Sequence, residues 1–136
     1  MKLLRISVLI MSLLALSIGA AVAVAADRHV SATLSEVNGS GVSGRVMLTG
    51  LPQGGTLVSV HVTGLQAGTA YVSLYYENHT CELEADSEND VVQRFTARGD
   101  RAVFTQRIDD DLDEIHSISI RLADGLALQA CADVNP

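Results

Sequence analysis

The side chains in this chain with chemistry to offer are its histidines, two cysteines, a cluster of tyrosines and one dense run of acids. The four histidines are His29, His61, His79 and His116. Imidazole is a common metal ligand and the side chain whose ordinary titration lies nearest neutral pH. Spread at roughly even intervals, these four give no short-spaced ligand pair. Each is expected on the surface or in an ordinary hydrogen bond, and no metal set is assigned. A site joining His79 to His61 or Glu82 would have to be assembled by the fold. The candidates for such a site are His61, in the middle of a strand, His79, and His116, which opens a strand after an acidic loop.

Cys81 and Cys131 are the only cysteines. In an oxidising compartment, an isolated pair at long separation most often closes as one disulfide. The rival reading, two thiolates as soft metal ligands, lacks a His or Cys at short spacing to complete a site. Asp109, Asp111 and Asp113 have the odd-position spacing of a calcium loop. Glu114, however, stands where such a loop needs glycine, so a solvated connection between strands is the preferred reading. Tyr71, Tyr75 and Tyr76 fall within six residues. Tyr71, Ser73 and Tyr75 share one face of a strand and could line a ligand surface, because tyrosine combines apolar area with a polar tip. Packing against the loop around Cys81 is the plainer expectation for them.

The elements that must position these groups repeat with a period of two. Val58, Val60 and Val62 alternate with Ser59, His61 and Thr63, and Val72, Leu74 and Tyr76 alternate with Tyr71, Ser73 and Tyr75. Ile118, Ile120 and Leu122 alternate with Ser117, Ser119 and Arg121. One apolar face and many β-branched residues are the pattern of half-buried strands. Asn38-Gly39-Ser40-Gly41, Pro52-Gln53-Gly54-Gly55 and Asp124-Gly125 supply turn chemistry between runs, and Arg98-Gly99-Asp100 reads as a tight hairpin. Eight strands are predicted, at about 28–37, 43–50, 56–63, 69–77, 91–98, 101–108, 115–122 and 126–134, with no helix. Short strands punctuated this often predict an all-β antiparallel Greek-key sandwich or flattened barrel.

Residues 1–26 read as a signal peptide. Lys2 and Arg5 precede an apolar run, and small residues end it at Ala25 and Ala26. Cleavage there predicts an exported protein, periplasmic or secreted, with no stable membrane insertion afterwards and one domain over 27–136. Loss of Lys2 and Arg5 takes the net charge from −7 to −9. So acidic a chain argues against nucleic acid as a partner. Its partner is expected to be another protein or a small molecule, and a homo-oligomer is open.

The strand 70–77, entered through Gly64-Leu65-Gln66-Ala67-Gly68, resembles the metal-binding strand of the copper/zinc superoxide dismutases. Gly41 to Leu48 is similar to the Gly-rich second strand of that family, and Arg94 to Ala102 to its hairpin between strands five and six. Ala130-Cys131-Ala132-Asp133-Val134 is similar to its last strand. The resemblance covers residues 32–134. It implies the superoxide dismutase-like fold and a Cys81–Cys131 disulfide, because family members tie the last-strand cysteine to the loop after the metal strand. It also places the two copper histidines of that strand at Ser73 and Tyr75, and the third near Ala123 or Asp124. The family's long loops are short here, the loop after Cys81 has no histidine, and the substrate-guiding arginine is Leu128. Imidazoles hold copper through its redox cycle. Their replacement predicts a non-enzymatic relative with a binding or structural role and no cofactor. A copper- or zinc-binding protein, or a dismutase with a reorganised site, is the alternative. A chordin-type adhesion or assembly module of the same superfamily is a third reading.

Overall fold

A computed structural model describes residues 28–135 and Gly19. The signal-peptide reading of residues 1–26 lies outside the described residues but for Gly19. Eight strands form: β1 (Arg28–Glu36), β2 (Ser43–Gly50), β3 (Thr56–Thr63), β4 (Ala70–Tyr76), β5 (Val91–Thr96), β6 (Arg101–Ile108), β7 (Ser117–Leu122) and β8 (Leu128–Asp133). All pairings are antiparallel, in the order β5-β4-β7-β8-β1-β2-β3-β6. The result is an all-β antiparallel sandwich, a nearly closed barrel. One departure is a single 3-10 turn, Leu112–Glu114, in the acidic connection where no helix was expected. Its ends are tied by reciprocal bonds between Asp111 and Glu114, a capping box.

β1 joins the two layers. Its first seven residues pair with β2, and Ser35 and Glu36 pair with β8. Arg98-Gly99-Asp100 is not a hairpin turn. β5 pairs with β4 and β6 with β3, so this link carries the chain from one layer to the other. The loop before β4 closes against the β1–β2 turn, and Gly64 sits at φ +78 with its α-carbon hard against the Gly41 carbonyl, leaving no room for a Cβ.

β2 and β3 bury alternate residues, as their period requires: Val46, Leu48, Val58, Val60 and Val62 face inward. Tyr71, Tyr75, Ile118, Ile120, Ala130 and Ala132 meet them from the other layer. β4 and β7 break the half-buried pattern. Every residue from Tyr71 to Tyr76 and from Ser117 to Arg121 is buried, because loops cover the outer face of these two central strands. Under that cover Val72, Leu74, Tyr76 and Cys81 make a second, smaller core.

Cys81 and Cys131 are bonded to each other, which fastens the loop after β4 to β8. The bridge spans 50 residues. Loop-closure entropy puts its contribution at about 4 kcal/mol. Cys81→Ser is therefore expected to lower the unfolding free energy by a few kcal/mol, measured as a lower urea midpoint. An equal midpoint with and without reductant in the native protein would show the bridge to be thermodynamically idle.

Candidate functional site

The outer face of β4 and β7 is where loops, the disulfide and polar side chains converge. Strand alternation sends Val72, Leu74 and Tyr76 outward, and the register sets them beside Arg121, Ser119 and Ser117. Residues 77–90 roof one end of this face and the β7–β8 turn roofs the other. The signal in the sequence was a period-two run apolar on one side and tyrosine-rich on the other. That pattern left open which side faced the main core.

The structure corrects the placement taken from the resemblance. Ser73 and Tyr75 do not face the Cys81 loop. They point between the layers with Tyr71, which belongs to the main core. Tyr71, Ser73 and Tyr75 thus form no open ligand surface, and Tyr71 and Tyr75 do not pack on the Cys81 loop; Tyr76 does. The Tyr71 hydroxyl accepts a bond from the Gln66 amide at 3.0 Å. The Ser73 hydroxyl is fully buried and has no partner among the described residues. Counted by face, the strand positions beneath the loop are Val72, Leu74 and Tyr76, one residue out of step with the sequence reading.

Arg121 is the residue the sequence reading missed. It sits mid-strand in β7 and is 6 % exposed. Its Nε donates to the Tyr76 hydroxyl at 2.9 Å, and its two terminal nitrogens donate to the backbone carbonyls of Leu126 and Cys81. Tyr76 then has its own proton free for Ser119 Oγ, 2.6 Å away. Both residues whose carbonyls accept from this guanidinium, Cys81 (φ 57) and Leu126 (φ 58), lie in the left-handed region that disfavours ordinary residues. The guanidinium fork collects oxygens from the loop after β4 and from the β7–β8 turn, and so holds both covers onto the sheet. In sequence, Ser117-Ile118-Ser119-Ile120-Arg121-Leu122 signalled only an outward polar row. A basic residue in a strand gives no sign that loops will close over it. Beside the cage lies an open cleft of about 610 Å³ over Leu74, rimmed by Asn89, Arg94 and Leu126.

Two of the four histidines come together in space. His61 lies exposed on the outer face of the opposite layer, between Arg45 and Val103. His79 and His116 come together at the end of the covered face, ring centroids 4.6 Å apart. His79 pairs with neither His61 nor Glu82; its Nδ1 is 2.8 Å from Asp133. Among the described residues, no group of three or more His, Cys, Asp or Glu side chains is placed to hold a metal ion.

At the same end of the molecule, Tyr75 donates its hydroxyl to Asp110 at 3.3 Å. Burial, then the charges of Asp110 and Asp90, push its titration well above the ordinary tyrosine value. Asp90 is pushed up as well, first by burial, then by Asp110, Asp86 and Glu84. Two other acids of the 109–114 run serve structure: the Gly55 amide donates to Asp111 Oδ1 at 2.8 Å, and the Asp111 amide donates to Glu114 Oε2 at 2.9 Å.

No family model matches the chain, and no curated protein matches it. Among solved structures, the chain is similar to Candida albicans superoxide dismutase 5 in its Cu(II) form, with a TM-score of 0.53 and 14 % identity. The match covers 79 % of this chain and 91 % of that one. It establishes the shared fold. On the loop-covered face, the outward side of β4 is apolar apart from Tyr76. Val72 and Leu74 carry no ligating atom, both cysteines are oxidised, and the buried charge already present is the cation Arg121.

Two outcomes follow. Arg121→Ala strands the Tyr76 hydroxyl and two carbonyls beneath the loops, and is expected to cost about 3 kcal/mol by urea denaturation, with faster proteolysis within 77–90. Asp90, whose folded titration is raised, adds stability that is complete below the ordinary carboxylate value and is lost as pH rises through the folded value. Asp90→Asn should therefore raise the melting temperature at neutral pH and leave it unchanged in strong acid, where both proteins carry a neutral side chain.

Proposed function

We propose that this chain is an exported, disulfide-locked member of the superoxide dismutase-like fold that acts by binding or as a structural module, without dismutase catalysis. The observation that carries the reading is the filling of the loop-covered face. Copper chemistry in this fold needs imidazoles on the outer side of β4. Here that side is Val72 and Leu74, with a caged guanidinium as its neighbour. A second cation in the same space would face Coulomb repulsion from Arg121. Oxidised cysteines support residence in an oxidising compartment, periplasmic or extracellular. A protein or a small molecule is the partner, and the open cleft over Leu74 is a place the fold offers it.

The test is turnover of superoxide by protein loaded with copper and zinc. It should not exceed that of free copper at the same concentration. Turnover well above that level, persisting when His79 and His116 are both replaced by alanine, would overturn the reading. The double replacement separates chemistry on the covered face from any copper held by the histidine pair. That pair is the specific observation favouring the alternative reading, a metal-binding protein.

A further inference from the structure

We propose that His79 and His116 form a two-imidazole site for a late divalent transition metal, copper(II) before zinc(II), outside the loop-covered face. The argument starts with the protons. His116 Nδ1 lies 2.6 Å from the Glu77 carbonyl oxygen, which can only accept, so Nδ1 carries the hydrogen. His79 Nδ1 lies 2.8 Å from an Asp133 carboxylate oxygen, and the same reasoning puts the hydrogen on Nδ1 there too. In the neutral rings, both Nε2 atoms therefore carry the lone pair. Neither has a hydrogen-bond partner among the described residues. A ring that gives its Nδ1–H to a carboxylate or a backbone carbonyl, and keeps Nε2 free, is arranged as metal-ligating histidines almost always are. Both rings meet that condition side by side.

Spacing agrees. With an Nε2–metal bond of about 2.0 Å, two imidazoles held at a right angle on one ion place their ring centroids roughly 4.5 Å apart. The observed separation is 4.6 Å. His79 is about half exposed, so solvent and a dissolved ion can reach the pair. The frame around the pair is rigid. The His116 amide donates to Tyr76 O at 2.8 Å and its carbonyl accepts from Val134 at 3.0 Å. His79 and Asp133 each lie two residues from a cysteine of the Cys81–Cys131 bond, which fixes their approach. Two nitrogens from the protein leave the other coordination positions to water or to a partner's ligand. Imidazole nitrogens favour copper(II) over the other divalent ions of the first row. The site does not depend on the non-catalytic reading of the covered face.

The experiment uses the protein with His29→Ala and His61→Ala, so that His79 and His116 are its remaining imidazoles, titrated with copper(II) and followed by calorimetry and electron paramagnetic resonance. One copper per chain with nitrogen hyperfine structure is expected. His79→Ala and His116→Ala should each weaken binding at least tenfold, and Asp133→Asn by a smaller factor, with the circular dichroism unchanged. Binding should also weaken as pH falls, because protons compete for Nε2. Failure to take up copper, or equal uptake after His79→Ala, would overturn the proposal.

Discussion

One guanidinium holds the irregular part of this molecule to the regular part. The sheet layers form from alternation alone, but the loop after β4 and the β7–β8 turn have no strand partners across the covered face. Arg121 supplies them with donors: its fork meets Leu126 and Cys81 carbonyls, and its Nε meets Tyr76. A buried cation is costly unless its hydrogens are satisfied. Each contact is therefore mutual: the loops solvate the charge, and the charge fixes loops whose Cys81 and Leu126 adopt a backbone conformation that isolated residues avoid. The disulfide acts on the same loop by a different route, limiting the unfolded chain instead of bonding the folded one.

Closure of that face has a chemical consequence. In a dismutase-like sandwich, the outer side of the central strands is where a metal can be reached from solvent and still be ringed by protein. Here the same geometry yields a buried patch of Val72, Leu74 and Tyr76 with a fixed organic cation beside it. The main core of the barrel rests on the valines of β2 and β3 meeting isoleucines and tyrosines across the layers. Scaffold and chemistry are separable, which is why a fold match at 14 % identity speaks to architecture and leaves activity to the residues themselves.

Polar groups with titration or ligation to offer collect at one end of the sandwich. Tyr75, Asp90 and Asp110 meet where burial and like charge resist ionisation. His79, His116 and Asp133 meet beside them, on segments joined by the disulfide and by backbone bonds from neighbouring strands. The opposite end carries the Arg98-Gly99-Asp100 link and the Gly64 turn, where Gly64 meets the Gly41 carbonyl too closely to admit a Cβ.

Alternation and turn residues were sufficient for the eight strands, because a period of two and glycine at positive φ are local constraints that the chain cannot satisfy otherwise. The cysteine pairing was legible too, once oxidation and count left one partner for each sulfur. What the sequence could not decide was parity and proximity. Tyr71, Ser73 and Tyr75 occupy one side of β4 whichever way it turns; only the packing of the second layer sends that side inward and puts Val72 and Leu74 under the loop. Arg121 looked like any outward arginine until two distant segments folded over it. His79 and His116, separated by 37 positions, become neighbours because β4 and β7 pair in antiparallel register, which brings the end of one strand to the start of the other. Local structure follows from near neighbours in the chain, and a site follows from which strand ends the sheet brings together.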